Sequence, residues 1–463
     1  MERLTIREIA GYTGGRCERT EDLDRTVCAI STDSREPLEG AMFIALEGER
    51  FDGHDFVHQA FCKGAVCALC HKDVPDAPGP IIRVADTGRA LLDLAAGYRS
   101  RFSLPVVGVT GSVGKTTTKE MVYAALSGSL RTHKSEGNHN NEIGLPKTVL
   151  ELSPADEAMV VEMGMYFPGE IRALAQVARP TVGVITNIGV THIENLGSRE
   201  NILKAKLEIL DGMPADGTLI LNRDNDLLAA LPRDLYPDIR WYAIEAADAD
   251  CRARDIRQEG ECTHFVIETA AGRYPASIPT IGQHNVLDAL AGFAAACAVG
   301  VAPEEAARSL GRYEPAGMRQ KIVRHRGMMV IEDCYNASPD SVRAALETLC
   351  SLEKPSPGGR RIAVLGDMTE LGAIGPQAHE EIGRLAARMG VDLLYGLGDL
   401  SRRTVEGAKA AGLDSAYAFS YKQSLYDALR GQLREGDIIL LKGSRVMQLE
   451  EILTWLYREG EGR

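Results

Sequence analysis

Short apolar runs recur along the chain, each bounded by glycine, proline or acidic residues, and the stretches between them sort the sequence into three blocks. In the first block, about residues 1–101, the runs VCAIS, AMFIAL, AVCALC and PIIRVA are separated by turn-rich stretches such as EGERFDGHDF. Runs of this length between turn signals predict strands, and apolar positions at helical spacing predict a helix near 87–101. In the second block, 102–314, the runs VVGVT, AMVVEMG, TVGVITNIG and GTLILNRD alternate with helical stretches, the first being KEMVYAALSG. GQHNVLDALAGFAAACAVG predicts a long helix of small residues near the end of this block. Strands apolar on both faces, alternating with helices, are the pattern of a parallel sheet covered on each side.

The third block, 315–463, begins at the breaker-rich Tyr313-Glu314-Pro315-Ala316-Gly317. MMVIEDCYNA, RIAVLGD, VDLLYGLGD and DIILLKGS read as strands ending in polar or glycine-rich loops, hence a second, Rossmann-like doubly wound sheet. The expected fold is α/β in three domains. In such sheets ligands sit where loops leave the carboxyl ends of the strands. Asp333–Asn336, Gly366–Asp367 and Lys442–Arg445 occupy loops of that kind.

The run VVGVT leads into GSVGKTTT, a compact G-x-x-G-K-T loop starting at Gly111. Gly111 and Gly114, with Ser112 and Val113 between them, let backbone N–H groups turn toward phosphate oxygens, and the following helix adds a favourable dipole. Lys115 can reach terminal phosphates, Thr116 is placed for Mg²⁺, and Thr117 follows it. A magnesium site also needs a carboxylate, and Glu162 closes the run AMVVE where an acid would face the loop. His192 follows another strand, in TNIGVTHIE; a lone histidine there is as readily structural. SRENILKAKLEIL predicts a helix carrying Lys204 and Lys206 on different faces, and spacing does not say which faces a site.

Composition narrows the partners. The 52 basic and 65 acidic residues leave a net charge of −13, which argues against a general binder of nucleic acid or anionic membrane. No stretch approaches the length that spans a bilayer, and MERLTIREIAGYTGG lacks an unbroken apolar core, so neither membrane insertion nor secretion is expected and a cytoplasmic location is. Of the ten scattered cysteines, most are expected to be thiols in a reducing compartment. Cys67-Ala68-Leu69-Cys70-His71 matches a haem-attachment spacing, but the surrounding run reads better as a buried strand using cysteine as a small apolar residue.

Together GSVGKTT, the strand-end Glu162, His192 and the KAKLEI helix resemble the Mur ligases, ATP-dependent amide-forming enzymes of cell-wall synthesis. STDSRE (31–36) and MFIALEGERFDGHDF (42–56) are similar to the UDP-binding first domain of the later Mur ligases. GNHNNEIGLP, EMGMYFPGEI, DCYNASPDS and LGDMTELG resemble the branch that adds D-alanyl-D-alanine, whereas the YAHTPD-like and DNPR-like motifs of the branch adding the third residue are missing. The resemblance implies ATP and Mg²⁺ as cofactors, UDP-N-acetylmuramoyl-tripeptide and D-alanyl-D-alanine as substrates, an acyl-phosphate intermediate, and a monomer. It implies that Thr116, Glu162 and His192 bind metal and that Lys206, carried as a carbamate, joins them. Asn285, Arg319 and Asp333 match nucleotide contacts. Asn138, Asn141, Asn336, Asp367, Lys442 and Ser444 are implied on the substrate side, and Ser31, Asp33, Ser34 and Arg35 at the UDP-sugar. Tyr166-Phe167 and Asp288 depart from the family pattern, standing where relatives often have Asn-His and asparagine. A Mur-type ligase with another amino-acid acceptor, a folate-polyglutamate ligase and a nucleotide switch are the alternatives. The UDP-type first block speaks against the folate enzyme. Asn222-Arg223-Asp224-Asn225 does not supply the N-K-x-D that a guanine switch requires.

Overall fold

The computed structural model describes residues 1–48 and 50–458. Three sheets of five, nine and six strands follow one another along the chain, each with helices against it, and a two-stranded ribbon pairs Leu4–Thr5 with Thr26–Val27. In the first sheet Ala29–Ser31, Ala41–Ile44, Cys67–Cys70 and Ile81–Arg83 run parallel, and Arg16–Cys17 adds an antiparallel edge. Cys67 and Cys70 are fully buried in it, and burial pushes the Cys70 thiol up to about 12. They are core residues, as the apolar run around them predicts.

The helix Thr87–Arg99 leaves this sheet and packs on Gly144–Leu150 and Glu170–Ala178 of the next. Its last residue, Arg99, is buried and donates to the carbonyls of Ala178, Phe102 and Leu104 at 3.0, 2.6 and 3.0 Å. That guanidinium satisfies three carbonyls where the chain turns into the central sheet, so the first and second blocks meet through a fastened joint.

The central sheet is parallel from Thr132–Lys134 through Ala158–Glu162, Val106–Thr110, Val182–Ile185, Thr218–Asn222 and Ile239–Ala243 to Cys251–Glu259. Cys262–Thr269 and Gly272–Ile278 then continue it antiparallel, an extension the apolar-run reading above does not contain. Its strands alternate buried with half-exposed positions because one face meets solvent, so no long apolar run marks them.

On the other face Gln283–Val299 lies on Lys115–Ser127. A Cβ at Gly292 would come within 2.8 Å of the Met121 carbonyl carbon, which is why the helix GQHNVLDALAGFAAACAVG is built of small residues. The third sheet orders Lys321–His325, Met328–Glu332, Ile438–Lys442, Arg361–Gly366, Leu393–Leu397 and Ala416–Phe419, all parallel except the first. The strands carrying Asp333, Lys442 and Gly366 at their carboxyl ends are therefore neighbours.

Candidate active site

The strand Val106–Thr110 lies buried in the interior of the parallel sheet, and its carboxyl end opens into Gly111–Gly114 before the helix starts at Lys115. Gly114 has φ +79°, and a Cβ there would stand 2.7 Å from Asp288 Oδ1, so both the backbone turn and the space require glycine. The Ser112 and Val113 amides donate to Asn187 Oδ1 at 3.1 and 3.0 Å, and Thr186 Oγ1 donates to the Val113 carbonyl at 2.6 Å. The loop is thus pinned to the exit of the neighbouring strand. Lys115 Nζ folds back on Gly111 O and Ser112 O at 2.9 and 3.3 Å. Burial pulls its pKa down, and the Glu162 charge opposes that shift.

Glu162 ends the adjacent strand in register with Val109. Thr116 Oγ1 donates to its Oε2 at 2.6 Å and Asn140 Nδ2 to its Oε1 at 2.7 Å, so the carboxylate is held from both sides. A hydroxyl and a carboxylate at the foot of a phosphate loop are hard oxygen donors of the kind Mg²⁺ takes. Among the described residues no group of three His, Cys, Asp or Glu gathers as a metal cage.

The structure separates the two lysines of the next helix. Lys204 is exposed, whereas Lys206 is 2% exposed, and desolvation followed by Lys115 repulsion pulls its pKa well below the ordinary lysine range. His192 caps Ile193–Leu196 in the left-handed region at φ +63°. Its ring meets Tyr166 edge-on at 4.7 Å, and its Nδ1 lies 2.6 Å from Glu370 Oε2 but off the line of a hydrogen bond.

A cleft of about 860 Å³ separates this surface from the third sheet. Across it Lys442 Nζ pairs with Asp333 Oδ2 at 2.8 Å and donates to the Asn336 carbonyl at 3.1 Å. The Arg319 guanidinium lies 4.0 Å over the Tyr335 ring. Buried Asn285 donates to Ile281 O at 2.7 Å and to Gln320 Oε1 at 2.5 Å. These residues line the cleft together with Ser112 to Thr117, Glu162, His192, Asn138 and Asn141.

Asp367 and Ser444 do not line it. The Asp367 carboxylate accepts from the Ser401 amide and hydroxyl, both at 2.7 Å, and Ser444 Oγ accepts from the Thr369 amide at 2.9 Å; both brace loops. Ser31, Asp33, Ser34 and Arg35 gather at the end of Ala29–Ser31, also outside the cleft. There Arg35 chelates Asp33, holding its carboxyl well below the usual range, while Ser31 donates to Glu36 and Ser34 to Gln59.

Asn140, Asn187, Glu370, Tyr335 and Gln320 were missed by sequence reasoning. Asn140 lies between two asparagines that were singled out, and nothing in GNHNNEIG marks the middle one as the partner of Glu162. Asp288 is a buried acid at the wall of the cleft. Burial pushes its pKa up to about 7, against a 2.7 Å hydrogen bond from Thr118. Between the ordinary carboxylate range and pH 7 the folded chain then binds a proton that the unfolded chain does not, so stability falls as pH rises through that window. Asp288→Asn is expected to raise Tm at pH 8 and to leave it nearly unchanged near pH 4, checked by thermal melts at both; equal shifts at the two pH values would refute the assignment.

Family models match three segments in order: "Mur ligase family, catalytic domain" over 26–99, "Mur ligase middle domain" over 109–296, and "Mur ligase, glutamate ligase domain" over 318–445. The UDP-N-acetylmuramoyl-tripeptide–D-alanyl-D-alanine ligase of Bacillus subtilis (strain 168) is 40% identical over 458 residues, 98% of each chain. The chain belongs to the Mur ligase family. The Escherichia coli (strain K12) enzyme of the same name is 34% identical to this Mur ligase over 99% of its chain and 100% of its own. A crystal structure of MurF from Acinetobacter baumannii superimposes with TM-score 0.92 at 31% identity, covering 99% of both chains. The MurF ligase from Thermotoga maritima in complex with ADP gives 0.83 at 28% identity over 93% of this Mur ligase and 97% of that chain. The three-domain α/β architecture expected from the apolar pattern is thus the family's own.

Proposed function

We propose that this Mur ligase joins D-alanyl-D-alanine to UDP-N-acetylmuramoyl-tripeptide, using ATP and Mg²⁺ and working as a cytoplasmic monomer. The observation that carries the reading is the pairing of full-length identity to enzymes of that name with a phosphate loop facing a cation-bearing wall across one cleft.

A carboxylate is a poor electrophile, so the tripeptide's terminal carboxylate oxygen first attacks the terminal phosphorus of ATP and ADP departs. The dipeptide amine then attacks the acyl carbon, loses its proton, and the tetrahedral adduct expels inorganic phosphate. The first step brings two anions together and the second develops an oxyanion beside the phosphate, and both demand fixed positive charge in a dry site. Lys115 supplies it at the terminal phosphate, and across the cleft stand Lys442 at the end of a third-sheet strand and Arg319 just before that sheet's first strand. Mg²⁺, bound by Thr116 and Glu162 with His192 and carbamylated Lys206 beside them, would add positive charge at the phosphate oxygens. Asn285, Arg319 and Asp333 would hold the nucleotide. The Asn138, Asn141 and Asn336 edge would take the peptide, and the Ser31–Arg35 turn the UDP-sugar. Residues 1–101, 102–314 and 315–463 are the corresponding donor, ATP and closing domains, and closure of the last excludes water.

Phosphate release with Mg²⁺-ATP and UDP-N-acetylmuramoyl-tripeptide is expected to depend on D-alanyl-D-alanine, with a UDP-pentapeptide product by mass spectrometry. Turnover with another amine only would overturn the acceptor; no ligation with any amine would overturn the reaction.

A further inference from the structure

Two non-glycine residues in the left-handed region meet across the cleft: His192 at φ +63° on the central sheet and Glu370 at φ +65° on the third. Such backbone is held only where its surroundings over-determine it, and it concentrates at functional sites.

Here the surroundings are visible on both sides. The Glu370 loop follows the strand Arg361–Gly366 and is tied down residue by residue. The Met368 amide donates to buried His379 Nε2 at 2.9 Å, the Thr369 amide to Ser444 Oγ at 2.9 Å, and Leu371 is buried. Between these anchors Glu370 lines the cleft beside Thr369. On the facing loop the Leu196 amide donates to the His192 carbonyl at 3.2 Å, and the Glu194 amide donates to the Glu370 carbonyl at 3.4 Å, joining the two loops by backbone as well.

The side chains complete the contact. His192 Nδ1 is buried without an aligned partner, and the carboxylate within reach is Glu370 Oε2 at 2.6 Å. A turn of the imidazole about Cβ–Cγ brings an Nδ1–H into line with it. A metal-ligating histidine almost always gives its second N–H to a carboxylate or carbonyl, which sets its tautomer and raises its basicity.

We propose that Glu370 is the positioning residue for His192: from the third domain it holds Nδ1 and leaves Nε2 for the cation of the ATP site, so that ligand is complete only when the third domain is docked. The inference rests on the reading of His192 as metal-facing.

The test is Mn²⁺ binding to the ADP-loaded full chain, followed by electron paramagnetic resonance, for wild type, His192→Ala, Glu370→Ala and Glu370→Gln. His192→Ala is expected to weaken one class of Mn²⁺ site. Glu370→Ala should weaken the same class about 10-fold, and Glu370→Gln, which keeps an acceptor oxygen in the same volume, should recover part of it. In turnover the Mg²⁺ concentration for half-maximal rate should rise more than kcat falls. Loss in His192→Ala with unchanged binding in both Glu370 variants would overturn the positioning role while leaving the ligand intact. Unchanged binding in all three variants would overturn the ligand reading and the positioning role together. Should Glu370→Ala melt early, the comparison rests on Glu370→Gln.

Discussion

Lys115→Ala is expected to lower kcat about 10³-fold, the size of effect seen when a fixed donor is removed from developing negative charge. Its half-buried side chain stands at the loop that would cradle phosphate, with Nζ bonded to two neutral carbonyls of that loop and to no acid. Glu162, the carboxylate whose charge acts on it most strongly, is already engaged by Thr116 and Asn140. Lys115 is therefore held by the loop's own carbonyls, with no acid bonded to it, before a nucleotide arrives. Lys115→Arg is expected to fail nearly as badly, because a planar fork cannot donate into the Gly111 and Ser112 carbonyls from the same volume. Single-turnover phosphate release separates the effect on chemistry from that on ATP binding. A kcat within 10-fold of wild type would remove Lys115 from the proposed mechanism.

Lys206→Met is expected to abolish most turnover while making the fold more stable. The side chain is buried, and desolvation together with the Lys115 charge pulls its pKa well below the ordinary lysine range. A neutral buried amine is the form that adds CO₂ and loses a proton, giving the anion proposed beside the metal. Arginine cannot do this, so Lys206→Arg should be as inactive as Lys206→Met. The stability change has a definite sign. With the folded pKa depressed, the unfolded chain binds more protons over the interval between the two values, so wild-type stability rises with pH through it. In CO₂-free buffer Lys206→Met should gain about 2 kcal/mol or more near neutral pH, and the gain should shrink as pH climbs into the lysine range. Melts across pH, with ¹³C-bicarbonate labelling of the wild type, check both halves. An active Lys206→Met enzyme would sink the carbamate role, and a destabilised one would sink the electrostatic reading of the burial.

Both substitutions act on residues that motif spacing brings to notice, but only Lys115 is legible without the fold. Gly111, Gly114 and Lys115 are consecutive parts of one loop whose chemistry depends on local backbone geometry, and local geometry is written in neighbouring letters. Lys206 is different: at two-residue spacing either Lys204 or Lys206 could have faced inward, and burial against the central sheet decided it. His192 stands between these cases. Its place after a strand is readable, while its left-handed backbone and its partner Glu370, 178 positions away, are not. The antiparallel strands Cys262–Thr269 and Gly272–Ile278 went unread for the opposite reason, since a sheet open to water on one face disperses its apolar residues.

By itself the sequence determined the three-block α/β plan, the buried character of its parallel strands, the phosphate loop and the acid at the next strand's end, because each follows from periodicity or from contacts between near neighbours. The tertiary structure alone decided which lysine is buried, that Asn140 and Asn187 steady Glu162 and the loop, that Asp367 and Ser444 brace loops outside the cleft, and that Glu370 meets His192. Those outcomes depend on which side chains desolvate one another across separate sheets, and that is set by packing between distant segments rather than by any spacing along the chain.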